Sequence, residues 1–167
     1  GAQVPIRALF ELAGHIDFDP EMVFGDFHQA EILVKKLCSD FGPHSEMQWK
    51  ILTESFLRPG ELDGTYMIHF DPAIVSHFRR ILLLLGGKFN NTLFKIPDLN
   101  FWTFYEHIKC NTLLFRGKNS KLLEKTIAGQ MSGSGPKPKL VEVPNTGHAP
   151  TLMHFDQISI IRNFLSV

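Results

Sequence analysis

The sequence predicts an α/β protein in which a mostly helical region, residues 1–108, precedes a β-α-β-α unit, residues 109–167. Two short apolar runs, Thr112–Phe115 and Leu140–Val143, have the length and composition of buried parallel strands. Apolar residues then recur at helical spacing over Phe155–Leu165. Strands that alternate with helices in this order form the repeating unit of a parallel sheet, which is the basis of the prediction.

The first 108 residues carry the start and stop signals of several helices. Ser45 is a typical N-cap, and Asp71 with Pro72 forms a second typical helix start. Gly42 and Pro43 would end the helix that precedes Ser45. The predicted helices are, in order, Pro5–Ala13, Phe27–Asp40, Ser45–Leu57, a segment from Asp71 that Gly86 and Gly87 end, and Asn100–His107, with a turn at Gly60–Gly64 and a loop at Lys88–Leu99.

The last sixty residues place two loops at one edge of the predicted sheet. Between the strands, Ser120–Met131 has the pattern of a helix, and Ser132–Pro138 that of a loop. The loops Gly117–Lys121 and Asn145–Pro150 each follow a strand. Ligand sites of parallel α/β sheets lie beyond the carboxyl ends of the strands, so we expect a functional site there.

Composition excludes several classes of protein. Seventeen basic residues balance seventeen acidic ones, so the chain lacks the positive charge that binds nucleic acid or anionic membranes. The longest apolar run, Ile81–Leu85, is far too short to cross a bilayer. Two cysteines do not make a disulfide framework and favour the reducing cytoplasm. No cofactor-binding motif is present, and we expect no cofactor.

His148 is the strongest candidate for a chemical role. It lies in Gly147–Pro150, between the second strand and the last helix. A hydrolase triad needs an imidazole on such a loop, free to take a proton from a serine and pass it to the leaving group. The alternative is a solvent-exposed loop histidine, since the chain has eight.

Longer segments extend this pattern into a family resemblance. Cys110–Gly117, then Ser120, Leu122 and Leu123, and then Gly147–Met153 resemble the closing third of α/β-hydrolase-fold esterases and related hydrolases. Pieces of the first region resemble the helical cap of one bacterial branch of that family: Phe41-Gly42, Gln48-Trp49, Asp63-Gly64, Phe70–Ile74 and Phe101-Trp102, with Val4–Leu9 resembling the segment after the sixth strand.

The resemblance implies a partial α/β-hydrolase fold, with residues 1–108 as a cap or lid and residues 109–167 as the C-terminal part of the core. It also implies hydrolysis of a carboxylic ester or a related acyl bond. His148 would then be the general base, because in this family the histidine comes last in the order of the triad.

The sequence departs from the family pattern at two points. The family's nucleophile lies in Gly-x-Ser-x-Gly, and this sequence has no such motif; Gly129–Gly133 has its serine one place late. The family's catalytic acid follows the strand that ends at Arg116, where this chain has Ser120 and Lys121. Lys121 would oppose an imidazolium there, unless its side chain points to solvent. An acid on the loop after the family's sixth strand would complete a whole enzyme, but not this chain alone.

These departures leave two hypotheses open. In the first, the chain is a C-terminal fragment of a hydrolase, inactive alone, and a separate N-terminal chain supplies the serine and the oxyanion donors. In the second, it is a non-catalytic remnant or interaction module. An unpaired edge of Thr112–Phe115 would then pair with a second copy, or with an N-terminal chain.

The remaining candidates are weaker. His15, Asp17 and Asp19 have loose metal-ligand spacing but no completing pair, so we expect no metal site. His69 and Asp71 more simply serve a turn and a helix cap, and Arg58-Pro59 a surface position. Four aromatic residues either line an acyl pocket or belong to the core: Phe101, Trp102, Phe104 and Tyr105.

Overall fold

The computed structural model describes residues 2–4, 19, 21–69, 71, 73, 76, 80 and 99–166. The chain divides into two compact units. The sheet unit comprises Gly1–Leu9, Asp40–Pro43 and Pro97–Val167, and the helix-pair unit comprises Phe10–Ser39 and His44–Ile96. The predicted division into a helical cap, residues 1–108, and a C-terminal part of the core, residues 109–167, stays a prediction.

The described residues form five helices and seven strands. The helices are α1 Phe27–Leu37, α2 Glu46–Phe56, α3 Trp102–Glu106, α4 Lys125–Gly133 and α5 Phe155–Leu165. The strands are β1 Gln3–Val4, β2 Val23–Phe24, β3 Leu57–Pro59, β4 Tyr66–Ile68, β5 Leu99–Asn100, β6 Leu113–Gly117 and β7 Lys139–Val143. None of the helices in this part of the chain has the length and apolar character needed to cross a membrane.

Side-chain caps define where α1 and α2 begin. Asp26 accepts a hydrogen bond from the backbone N–H of Gln29 at 2.9 Å. Ser45 and Gln48 form a reciprocal capping box, with bonds of 3.3 and 2.9 Å. The predicted helix from Ser45 is therefore confirmed. The helix before it ends at Leu37, short of Gly42.

The helix-pair unit also holds a small antiparallel sheet of order β2-β4-β3. The turn between β3 and β4 closes with a bond of 2.9 Å from the Gly60 N–H to the Thr65 carbonyl. Gly64 has a φ of +77°, which favours glycine. The turn was predicted, whereas the two- and three-residue strands are too short to leave a periodic pattern in the sequence.

The sheet unit contains the predicted parallel pair. Strands β6 and β7 run parallel, from Leu113 opposite Lys139 to Gly117 opposite Val143. Buried residues pack beside them in one cluster: Ala2, Tyr105, Leu123, Ala128 and Met131, with Trp102, Leu114, Ile127 and Leu140 against it. The α/β class and the β-α-β-α order of the last sixty residues are confirmed.

Helix α4 differs from its prediction. It begins at Lys125 rather than Ser120, and ends at Gly133 rather than Met131. The reason is that Ser120 accepts a hydrogen bond from the Leu123 N–H at 3.0 Å, which closes a separate turn before the helix. The Leu123 carbonyl accepts a hydrogen bond from the Arg116 Nε at 2.7 Å, a partner outside the helix.

Several predictions fall wholly or partly on other residues. The helix Pro5–Ala13, its His15 and Asp17 neighbours, the stop at Gly86-Gly87 and the loop from Lys88 all lie outside the described residues. Of the helix predicted from Asp71, the described positions Ala73, Ser76 and Arg80 are helical. Asp71 accepts from the Ala73 N–H at 2.8 Å, as a helix cap does.

Candidate active site

The loops after β6 and β7 are joined by backbone hydrogen bonds. The Lys118 N–H donates to the Val143 carbonyl at 2.8 Å, and the Asn119 N–H donates to the Thr146 carbonyl at 2.9 Å. A Cβ atom on Gly117 would collide with the Gly147 carbonyl oxygen and lie 2.5 Å from that of Thr146. Glycine at the end of β6 therefore allows the two loops to touch.

The residues before His148 give its loop a fixed shape. Asn145 has a φ of +54°, a left-handed conformation that asparagine tolerates better than most residues. Thr146 is 3% exposed, and its hydroxyl donates to the Pro144 carbonyl at 3.1 Å. Gly147 is buried, while His148 itself is exposed. The backbone is held, and the imidazole is accessible.

A segment distant in sequence, Asp40–Pro43, completes the support of this loop. The Gly147 N–H donates to the Asp40 carbonyl at 2.6 Å. A Cβ atom on Gly147 would collide with a carboxylate oxygen of Asp40 and lie 2.8 Å from its Cγ. At Gly42, whose φ is +103°, a Cβ atom would lie 2.7 Å from the Thr146 hydroxyl oxygen. Three segments therefore converge around His148.

The surroundings of His148 favour its neutral form. Partial loss of hydration lowers its pKa below the ordinary value. The carboxylate of Asp40 acts in the opposite direction and raises the pKa. Since the net shift is downward, the imidazole is neutral near pH 7, the form in which it can accept a proton.

The two residues at the expected acid position are placed differently. Ser120 is buried and is engaged in the turn before α4, with its hydroxyl accepting from Leu123. Lys121 is exposed. Neither residue supplies a carboxylate, and Ser120 has a structural role that explains its burial.

Arg116 links β6, β7 and the loop between β6 and α4. It is buried, its Nε donates to the Leu123 carbonyl at 2.7 Å, and its guanidinium contacts Glu142 at 2.8 Å. From the sequence, Arg116 is identified only as the residue at which a strand ends. A buried arginine needs a partner carboxylate, and Glu142 lies directly opposite it in the parallel register.

The weaker candidates separate into core, turn and surface. Tyr105 is buried and donates to the Met131 carbonyl at 2.7 Å, and Trp102 packs edge-on against it with ring centres 5.7 Å apart. Phe101 and Phe104 are exposed. Tyr105 and Trp102 therefore belong to the core.

The polar candidates serve local structure. Asp19 accepts from the Glu21 N–H at 2.9 Å, and Asp71 caps a helix as described. His69 and Arg58 are exposed in the helix-pair unit. Within the described ranges, no three histidine, cysteine or acidic side chains are grouped to hold a metal ion.

Comparison with known proteins gives one curated relative of clear similarity. The chain is 29% identical over 145 residues to a 3-hydroxybutyrate-oligomer hydrolase from Cupriavidus necator, covering 86% of this chain and 47% of that protein. No family model matches the chain. The chain spans about half the length of this relative.

Solved structures match over nearly the whole chain. A candidate hydrolase from Rickettsia typhi is 24% identical, with a TM-score of 0.76 over 99% of this chain and 50% of that one. An α/β hydrolase from Novosphingobium aromaticivorans is 21% identical, with a TM-score of 0.66 over 99% and 54%. E-2-(acetamidomethylene)succinate hydrolase is 20% identical, with a TM-score of 0.68 over 98% and 54%. The chain therefore has the fold of the α/β hydrolases, over about half the length of the members it matches.

Proposed function

We propose that this chain is the C-terminal part of an α/β hydrolase that cleaves a carboxylic ester or a related acyl bond, with His148 as general base. The supporting observation is the placement of His148. Its loop follows the carboxyl end of β7 and is bonded to the loop after β6. Functional residues of parallel α/β sheets collect at this edge.

The electrostatics of His148 suit the role. A general base must be neutral to take a proton from a serine hydroxyl, and a lowered pKa keeps the imidazole neutral at physiological pH. After the proton transfer, the imidazolium returns the proton to the alcohol leaving group. Holding the loop backbone while leaving the imidazole exposed supports both steps.

The serine and the oxyanion donors come, in this proposal, from the half of the fold that the chain does not span. Strand β6 pairs with β7 along one side, and among the described strands none pairs with its other side. A parallel pair of strands is rarely stable by itself, so this edge suits a further strand. The proposed partner is an N-terminal hydrolase segment, in the same polypeptide or a separate one, in the cytoplasm.

The curated relative suggests the first substrate to test. That relative is a 3-hydroxybutyrate-oligomer hydrolase. Such oligomers are chains of hydroxy acids joined by carboxylic ester bonds. We therefore propose short linear hydroxyacyl esters as substrates, with a nitrophenyl ester as the general probe.

The test is co-expression of this chain with the polypeptide encoded directly upstream of it, followed by assay of a nitrophenyl ester and a 3-hydroxybutyrate dimer. His148→Ala should lower kcat/KM by about a hundredfold or more, the usual contribution of a general base. His28→Ala is the matched control, since that side chain is 79% exposed on α1. Full activity of His148→Ala would refute the assignment.

A non-catalytic module is the second candidate. Ser120 and Lys121 at the acid position favour it, since neither can orient an imidazole as a carboxylate does. It predicts no labelling of the co-expressed pair by a fluorophosphonate, and self-association of this chain through β6. Sedimentation of Leu114→Pro should then show less association, because proline removes an N–H from this strand. A labelled serine in the pair would rule this candidate out.

A further inference from the structure

We infer that Asp40 is the positioning acid for His148, a carboxylate supplied from the turn after α1 to a site where Ser120 and Lys121 supply none. The inference rests on the proposed function and extends it to a residue outside the two strand loops. It assigns Asp40 two contacts with the histidine loop, one through its backbone and one through its side chain.

The backbone contact fixes the distance between the two segments. The Asp40 carbonyl accepts from the Gly147 N–H at 2.6 Å, so Asp40 lies against the residue that directly precedes His148. Gly42, two residues on, packs closely on Thr146. The segment Asp40–Pro43 is therefore docked on the loop at more than one point.

The side-chain contact explains the glycine before His148. The Asp40 carboxylate occupies the space that a Cβ atom on Gly147 would need, with Cγ at 2.8 Å and Cβ at 2.9 Å from that position. Any larger residue at 147 would displace the carboxylate. The absence of a side chain at Gly147 thus leaves the space that the Asp40 carboxylate occupies.

The charge of Asp40 has the sign that the chemistry requires. A proton transferred to His148 makes an imidazolium, and a neighbouring carboxylate lowers the free energy of that cation. The other ionisable groups on the adjoining segments are Lys118 and Lys121 after β6, and His154 and Asp156 at the start of α5. Asp40 is the group whose negative charge acts on His148.

Asp40 acts on the imidazole through space. In the described part of the chain, no hydrogen bond joins the two side chains, so the expected effect is that of a charge and not of a fixed tautomer. On that basis we expect Asp40→Asn to lower kcat/KM on the order of tenfold, because the imidazolium formed in the reaction loses a stabilising charge.

The test is an NMR titration of the His148 ring in this chain, which needs no substrate. Asp40→Asn should lower the pKa of His148, because removal of the carboxylate removes the stabilisation of the cation. Asp63→Asn, an exposed acid in the helix-pair unit, should leave it unchanged. Asp40→Glu should restore part of the difference.

The outcomes separate this inference from the proposed function. An unchanged His148 pKa in a folded Asp40→Asn protein would overturn the inference, even if the co-expressed pair hydrolyses esters. A lowered His148 pKa without ester hydrolysis would support the pairing of Asp40 with His148 and refute the proposed function. If Asp40→Asn unfolds, Asp40→Ala keeps the backbone bond and gives the same comparison. In an active pair, the acid limb of the kcat/KM profile should move to lower pH.

Discussion

Single glycines decide how closely the backbone segments around His148 approach. Gly117 and Gly147 have no space for a Cβ atom, because carbonyl oxygens or the Asp40 carboxylate occupy it. Gly129, in the middle of α4, has no atom within 4 Å of that position. Glycine therefore stabilises the close contacts at positions 117 and 147 but destabilises the helix at position 129.

Substitution by alanine should reveal the difference. Gly117→Ala should lower the free energy of unfolding by about 3 kcal/mol, since the colliding atoms are backbone and cannot turn aside. Gly129→Ala should raise it by about 0.5–1 kcal/mol, because alanine favours a helix. Urea titration of both variants measures the two changes. A Gly117→Ala protein as stable as the parent would contradict the close approach of the loops.

At the scale of elements, the sequence predicts the helices and strands whose ends are set by residues close to them in the chain. The bounds of α5 match their prediction, and those of β7 extend it by one residue at the start. Ser45 begins α2 by a bond within its own first turn. The capping box determines where α2 begins, and a substitution at Ser45 tests its contribution to stability separately from the packing of the helix.

Ser45→Ala should lower the free energy of unfolding by about 1 kcal/mol, since the Gln48 N–H in the first turn of α2 loses its side-chain acceptor. Ser55→Ala, on the same helix, removes a hydroxyl that only bonds the Leu52 carbonyl and is exposed. That control should change stability by less than about 0.5 kcal/mol. Thermal unfolding followed by circular dichroism gives both values; equal losses would argue against the cap.

The elements that sequence reasoning missed depend on distant partners. The Leu123 carbonyl, shortly before α4, accepts a hydrogen bond from Arg116, several residues earlier. Asp40 reaches Gly147 from more than a hundred residues away, and nothing near Asp40 in sequence signals that contact. Glu142 is the partner of Arg116 because the register of β6 and β7 places the two residues opposite each other, which the sequence does not indicate. Local patterns predict local hydrogen bonds, and these three contacts are not local.

For the whole molecule, each compact unit carries one cysteine, and the two differ in accessibility. Cys38, in the helix-pair unit, is 2% exposed, whereas Cys110, in the sheet unit, is exposed. Neither is in a disulfide. The two thiols therefore report separately on the units that contain them.

Reaction with a chromogenic disulfide should be fast at Cys110 and at least about a hundredfold slower at Cys38, because a buried thiol reacts only after local opening. The Cys110→Ser variant isolates the slow phase, and urea should accelerate it. A fast phase persisting in that variant would mean that the helix-pair unit opens readily under native conditions.

The position of Asp40–Pro43 has a consequence for protein engineering. These four residues belong to the sheet unit, yet in sequence they interrupt the helix-pair unit. An exchange of the helix-pair unit that replaces residues 10–96 as one cassette would also replace the support of the histidine loop. Such grafts should therefore be made as two inserts, on either side of a retained Asp40–Pro43 segment.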